Sequence, residues 1–179
     1  GYSDSAFWLK FALINPGSRG IERFLEVRNP LLDRVDLYVP GKQGYALKQA
    51  GDLFPFSHRE VKYRSFVFPL VIEPGLSVFL LRVESRSNTN IPLTLWSQGA
   101  FLEKAADELP LLWMFYGLML AMVLYNLFIF FSIRESDYLY LVLFIFSFVV
   151  FRLAYNGLAF QYLWPDLIWW AHNCIPFLV

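Results

Sequence analysis

The chain has 179 residues, and its shares of hydrophobic (57%) and aromatic (20%) side chains exceed those of an ordinary soluble protein. Its 15 Lys and Arg residues balance 15 Asp and Glu residues, which argues against a basic face and a nucleic-acid partner. A single cysteine, Cys174, excludes an intrachain disulfide and a thiolate metal site. Only Arg134 and Arg152 among the Lys and Arg residues follow Leu109, which predicts a soluble first part and a membrane-embedded second part.

The first part of the chain alternates with period two. Phe7, Leu9 and Phe11 alternate with Trp8 and Lys10, as a half-buried strand requires. Similar runs separated by Gly, Pro and Asn turns predict further strands at 21–27, 35–39, 45–48, 63–71, 76–85 and 91–96. Short strands at this spacing predict an antiparallel β-sandwich or barrel over residues 1–97.

The second part predicts membrane helices. Residues 98–108 form a predicted helical connector with Ser97 as its N-cap. The uncharged run 109–133 is long enough, at about 1.5 Å per residue, to cross a hydrocarbon core of about 30 Å. A second apolar stretch covers 138–160 after a short polar break, and a third segment covers 167–179. We therefore predict the opening of a helical membrane bundle, with the lipid bilayer as its surroundings.

Both ends of the chain predict a longer protein. The chain opens at Gly1 without an initiator Met or a signal-peptide pattern, and it closes at Val179 inside a hydrophobic run. We expect the sandwich to be incomplete at its N-terminus and the bundle to continue beyond these residues. Arg134, between the first two spans, favours a cytoplasmic position for that loop.

A family resemblance covers nearly the whole chain. It is carried by the order and spacing of WLKFALINP, PLLDRVDLYVPGKQGY, GDLFPFSHREVKYRSFVFPL, LRVESRSNTNIPLTLW, YNLFIFFSIRESDYLYLVLFIFSF and NGLAFQYLWPD. These segments resemble the bacterial seven-transmembrane receptors with diverse intracellular signalling modules. The resemblance implies a periplasmic all-β jelly-roll sandwich, similar to carbohydrate-binding modules, followed by a seven-helix domain in the inner membrane. It also implies a cytoplasmic output domain after the last span, a diguanylate cyclase or a histidine kinase.

A ligand surface is predicted on the sandwich. Trp8 and Lys10 share a strand face opposite Phe7 and Leu9, and Arg82 likewise points away from a core layer. Aromatic rings stack on the apolar faces of sugars, and planar donors bind sugar hydroxyls. The full predicted set for a carbohydrate-like solute is Trp8, Lys10, Tyr38, Arg59, Arg64, Arg82 and Trp96.

Structural interpretations stand beside this ligand hypothesis. Trp8 and Trp96 are large enough to belong to the core, because big aromatic residues are well buried on average. Arg82 has Glu84 and Asp36 as available ion-pair partners.

Other polar residues predict no chemistry. Asp33 and Asp36 fall on opposite sides of a strand, which opposes a catalytic pair or a calcium site, and Arg34 offers ion pairing instead. His58 is a loop histidine without metal-ligand spacing to Cys, His or carboxylates. The turn after Pro40 lacks the order of a phosphate-binding loop, and no catalytic motif is present. We predict no enzyme, no cofactor and no metal site in these residues.

One polar cluster is predicted inside the membrane. Arg152 carries a charge that is costly in a span unless it reaches the headgroups or finds a partner. Tyr155 and Asn156 lie one turn onward, and Asn126 of the first span completes the predicted cluster. The alternative is an arginine that snorkels to the lipid headgroups.

Two hypotheses for function follow. In the first, a solute binds the sandwich, the connector 98–108 shifts, and the first span passes the motion into the bundle. In the second, the sandwich is a protein-interaction or homodimerisation module on a membrane scaffold and binds no small molecule.

Overall fold

The N-terminal part is a sandwich of two antiparallel sheets. The computed structural model describes residues 5–41, 44–86 and 90–178, and within them seven strands form a four-stranded and a three-stranded sheet. The strands are β1 (Phe7–Asn15), β2 (Ile21–Val27), β3 (Arg34–Gly41), β4 (Gly44–Ala50), β5 (Phe66–Ile72), β6 (Gly75–Glu84) and β7 (Leu93–Trp96). Their orders are β1-β6-β3-β4 in sheet A and β5-β2-β7 in sheet B. The predicted β-sandwich is confirmed.

The core lies between the inner faces of the two sheets. Val35 and Leu37 of sheet A, with Phe79 of the same sheet, are fully buried against Val27 and Phe66 of sheet B. These residues recur at every second position of their strands, which is why the period-two pattern identifies them. The alternate residues of sheet A therefore form an outer face that no helix covers among the described residues.

Four helices follow the sandwich. They are α1 (Gln98–Ile133), α2 (Ser136–Tyr155), α3 (Leu158–Tyr162) and α4 (Ile168–Leu178). Ser97 caps α1 as predicted, since its Oγ accepts a hydrogen bond of 3.2 Å from the backbone N–H of Ala100. α1 runs unbroken through Pro110 over 36 residues. The connector and the first span are therefore one helix, roughly 54 Å long at 1.5 Å per residue.

The second span ends earlier than its apolar sequence suggests. α2 stops at Tyr155 rather than at Phe160, because Gly157 takes a left-handed conformation at φ 75° and α3 then starts at Leu158. α4 covers most of the predicted third segment, of which Val179 lies outside the described residues.

Two helices have the length and composition of membrane spans. α1 and α2 each contain an 18-residue window with mean hydropathy 2.0 and only 17% of that window is buried. Core helices of soluble proteins bury such windows, whereas these present their apolar side chains outward.

Candidate functional site

An aromatic platform lies on the outer face of sheet A. Trp8 is 57% exposed, and its ring stacks on Tyr38 with ring centroids 5.6 Å apart and an interplanar angle of 27°. The strand register places Trp8 beside Arg82, and Lys10 beside Leu80, which in turn neighbours Tyr38. The structure thus brings together four of the residues predicted for the ligand surface. Their role in binding stays a prediction.

A buried carboxylate orients the polar edge of this platform. Asp36 is 1% exposed and accepts hydrogen bonds from Arg34 Nε at 2.9 Å, Arg82 Nη1 at 3.1 Å and Gln49 Nε2 at 2.9 Å. Arg82 also pairs with Glu84. Both ion-pair partners considered for Arg82 are therefore engaged, yet its side chain remains 22% exposed beside Trp8.

Three predicted ligand residues lie elsewhere, so the prediction of one surface shared by all seven is wrong. Arg59 is 5% exposed, and its guanidinium lies over the rings of Phe66 at 4.5 Å and Phe56 at 4.8 Å. Arg64 and Trp96 lie at the contact between sheet B and α1. The cause is non-local, since the loop that carries Arg59 and Arg64 folds against the helices rather than along sheet A.

A buried glutamate joins sheet B to α1. Glu26 of β2 is fully buried, and it accepts hydrogen bonds from Ser65 Oγ at 2.7 Å, Trp96 Nε1 at 2.8 Å and Lys104 Nζ at 2.6 Å. Lys104 belongs to the second turn of α1 and is only 15% exposed. These three donors, of which Lys104 carries a full positive charge, satisfy the carboxylate, as a buried charge requires.

A second ionic link lies one turn further along α1. Glu108 pairs with Arg64 and lies 3.3 Å from Lys104 Nζ, while the Tyr63 hydroxyl donates to its Oε2 at 3.2 Å. Burial raises the pKa of Glu108, but the charges of Arg64 and Lys104 outweigh this effect and the pKa is lowered overall. Burial also raises the pKa of Tyr63, which keeps its hydroxyl a donor.

Aromatic side chains fill the space around these ions. Phe101 of α1 contacts Tyr63 and Phe24 edge to face, with centroid distances of 5.1 Å and 5.4 Å. Val67 of β5 is buried in the same cluster. We call this contact of sheet B with α1, built around Glu26, Lys104, Glu108, Arg64 and Phe101, the junction.

The junction extends to the end of α2. Arg64 Nη1 donates to the backbone oxygen of Asn156 at 3.3 Å, and Asn156 Nδ2 donates to the Tyr116 hydroxyl of α1 at 2.7 Å. Arg152 lies over the ring of Tyr155 at 5.8 Å. One loop residue of the sandwich therefore contacts both α1 and the residue that follows α2.

Asn126 does not join this group, so that part of the predicted intramembrane cluster is wrong. Its Nδ2 donates to the backbone oxygen of Met122 in its own helix at 2.8 Å. Asn126 lies ten positions beyond Tyr116 on α1, which is roughly 15 Å along the helix axis. The prediction places Asn126 beside Arg152 because the two spans are antiparallel, but the sequence does not determine how far along α1 the end of α2 lies.

The sequence did not predict two further features of the structure. An open groove of about 810 Å³ lies at the end of the sandwich away from the helices, lined by Tyr45, Lys48, Glu73 and Leu76 among others. At the opposite end, ligand atoms of Asp33, Asp52 and His172 lie within 4.8 Å of one another. No local motif marks either feature, because each combines distant parts of the chain.

Family models match both parts of the chain. A model described as 7TMR-DISM extracellular 2 matches residues 1–97, and one described as 7TM diverse intracellular signalling matches residues 108–179. Comparison with curated proteins and with solved structures gave no match. The short interval between the two matched regions is the part of α1 that carries Phe101 and Lys104.

Proposed function

Since the chain belongs to the seven-transmembrane receptors with diverse intracellular signalling modules, we propose that its sandwich binds a carbohydrate-like solute and that α1 relays binding to the membrane bundle. The sandwich lies in the periplasm of a bacterium and the bundle in its inner membrane. A cytoplasmic output domain, a diguanylate cyclase or a histidine kinase, receives the signal.

The observation that carries this proposal is the platform of Trp8 and Tyr38 beside Arg82. A tryptophan that is 57% exposed on a sheet leaves a large apolar surface in water, and such surfaces are often binding sites. Asp36 holds the side chain of Arg82, the cross-strand neighbour of Trp8, so an apolar sugar face and its hydroxyls would meet a ring and a planar donor on the same face of the sheet.

The two sheets support separate roles in such a receptor. Sheet A presents the platform to solvent, while sheet B is held to α1 by Glu26 and Lys104. α1 continues from the junction through the first span without a break. A displacement of the sandwich relative to residues 98–108 would therefore move the membrane-embedded part of the same rigid helix, as a flexible linker would not.

Thermal unfolding of the whole chain in detergent micelles, with a panel of mono- and oligosaccharides, tests the proposal. A solute that binds only the folded state raises Tm in a saturable way. We expect this shift in the wild type, its loss in Trp8→Ala and Arg82→Ala, and its retention in Ile14→Ala. Ile14 is the matched control, because it is 73% exposed on the same face of the same strand.

The other outcomes are equally informative. A Tm shift that survives Trp8→Ala but not Tyr45→Ala would place the site in the open groove lined by Tyr45 at the far end of the sandwich. No shift with any saccharide would contradict the carbohydrate-like ligand.

A second candidate function is homodimerisation or protein binding through the same outer face. The observation in its favour is a set of exposed apolar side chains on that face, namely Trp8, Ile14, Tyr45, Leu47 and Leu76. Analytical ultracentrifugation of the wild type and of Ile14→Glu with Leu76→Glu tests it. A dimer that the double variant dissociates, in a protein that no saccharide stabilises, would favour this function.

A further inference from the structure

Three side chains with metal-binding atoms meet where the sandwich contacts α4. Asp33 precedes β3, Asp52 lies in the loop after β4, and His172 belongs to α4. His172 Nδ1 lies 3.5 Å from Asp52 Oδ1 and 3.8 Å from Asp33 Oδ1. We propose that Asp33, Asp52 and His172 bind one divalent transition-metal ion of the zinc class, which ties the sandwich to the membrane domain.

The spacing of these atoms suits a tetrahedral ion. Zinc lies about 2.0–2.2 Å from nitrogen and oxygen ligands, so neighbouring ligand atoms lie about 3.3–3.6 Å apart around it. The two distances from His172 Nδ1 fall at or slightly above this interval. The three ligand atoms all lie within 4.8 Å of one another, so binding would draw the two carboxylates together by up to about 1.5 Å. An imidazole nitrogen with two carboxylates favours zinc and its neighbours over magnesium or calcium, which prefer all-oxygen ligands.

Unpaired atoms point into the site. The side chain of Asp52 is 9% exposed, and neither its Oδ1 nor His172 Nδ1 has a hydrogen-bond partner among the described residues. A buried carboxylate oxygen without a partner is costly, and a second carboxylate nearby adds repulsion. A cation between Asp52, Asp33 and His172 satisfies all three atoms at once.

The Asp33 carboxylate and the backbone that carries Asp52 are already held in place. Asp33 accepts from Ser85 Oγ at 3.2 Å and from the backbone N–H of Arg86 at 3.1 Å. The backbone N–H groups of Asp52 and Leu53 donate to the oxygens of Leu32 and Asp33 at 2.9 Å and 3.3 Å. The two hydrogen bonds to the Asp33 carboxylate are of the kind that orients metal-binding carboxylates in known sites.

The close approach of the loop that carries Asp52 to the backbone of Asp33 depends on a glycine. A Cβ at Gly51 would lie 2.1 Å from the backbone oxygen of Asp33, and Gly51 has φ 148°. Gly51 therefore allows the close contact that brings Asp52 beside Asp33.

The ligand atoms of Asp52 and His172 are buried, and solvent approaches the site at Asp33. An open cleft of about 430 Å³ lies against Asp33 and is lined also by Arg34, Leu53, Glu84 and Arg86. The His172 side chain is 22% exposed. An ion can enter from this side, and a water molecule can complete its coordination, as in three-ligand zinc sites.

Metal analysis of the purified whole chain tests the proposal. The protein in detergent is treated with a chelator, dialysed, equilibrated with ZnCl₂ and analysed by inductively coupled plasma mass spectrometry and thermal unfolding. We expect one zinc per chain and a raised Tm in the wild type. His172→Gln and Asp52→Asn should lose both effects, while His58→Gln should retain them, because His58 is an exposed histidine outside the site.

Cobalt provides a readout that does not depend on the variants folding. Co²⁺ bound to the wild type by one nitrogen and carboxylates in a tetrahedral site should give intense visible absorption bands, and Zn²⁺ should remove them. Wild-type protein without stoichiometric zinc and without these bands would overturn the proposal, as would unchanged zinc binding in folded His172→Gln. Stabilisation by Ca²⁺ that survives His172→Gln would equally overturn the assignment to a transition metal.

Discussion

Lys104 Nζ lies 2.6 Å from the carboxylate of Glu26, although Glu26 is fully buried and the two residues belong to different domains. Two sandwich residues also donate to this carboxylate, Ser65 to the same oxygen as Lys104 and Trp96 to the other oxygen. Among the described residues, Lys104 of α1 supplies the positive charge that pairs with Glu26. The pair ties the sandwich to the helix that enters the membrane.

Removing this charge should loosen the junction. Lys104→Met keeps the length of the side chain but leaves Glu26 buried without its cation, which costs about 3 kcal/mol and lowers Tm by roughly 6–12 °C in a chain of this size. Thermal unfolding in detergent measures the change. Lys48→Met is the matched control, because its ion pair with Glu60 is exposed and is worth at most about 1 kcal/mol. Equal losses in both variants would contradict a special role for the pair.

Gly157 should tolerate no side chain. A Cβ there would lie 2.6 Å from the backbone oxygen of Arg64 and 2.7 Å from Pro30 Cβ, at a residue with φ 75°. Gly157→Ala should cost at least about 2 kcal/mol. Gly117→Ala, in α1, should cost nothing, because a Cβ there meets no atom within 4 Å. The Tm of the two variants checks this, and a stable Gly157→Ala would show that the contact of the loop with α2 is not tight.

Acid should weaken the junction through Glu108. Its pKa is lowered from the ordinary 4.5, as the charges of Arg64 and Lys104 outweigh burial. The ionised carboxylate therefore contributes stability above about pH 4.5, and this contribution is lost as pH falls through the lower folded-state pKa. The Tm advantage of the wild type over Glu108→Gln should be constant near neutral pH and disappear in acid. A Tm difference between the wild type and Glu108→Gln that does not change with pH would contradict the ion-pair role of Glu108.

Arg59 should not be replaceable by lysine. Burial lowers its pKa to about 10, so it is charged at neutral pH, and its Nη1 donates to the backbone oxygens of Tyr63 and Arg64 at 2.8 Å and 3.0 Å. The flat guanidinium also lies over Phe66, a geometry that an ammonium group cannot reproduce. Arg59→Lys should lose about 1–3 kcal/mol by thermal unfolding. The exposed Arg28→Lys should be unchanged, and a similar loss there would point to a general effect of the substitution.

The sandwich and its faces were predictable because a strand has a strict period. Alternation alone places Trp8 and Arg82 on one face of sheet A, and the register then sets them side by side. The positions of Arg59 and Arg64 were not predictable in this way. They depend on how an irregular loop packs against α1, α2 and α3, which no local pattern encodes.

The same limit applies at the membrane end. The spans follow from hydropathy, but the end of α2 is set by the left-handed Gly157 and its contact with Arg64. His172 meets Asp33 and Asp52 only because α4 folds back toward the sandwich. Sites that combine distant segments of the chain require the tertiary structure.

Coupling between the sandwich and the bundle can be measured at the native Cys174. This thiol is 1% exposed and packs against Ala154 and Ala159 inside the helical part. A solute that raises Tm through Trp8 should change the maleimide labelling rate of Cys174, followed by peptide mass spectrometry, by about fivefold or more if the two sites are coupled. A Ser-Gly-Ser insertion after Gly99 should abolish this change without abolishing solute binding. A solute that binds the wild type and leaves the Cys174 rate unaltered would contradict relay through the junction.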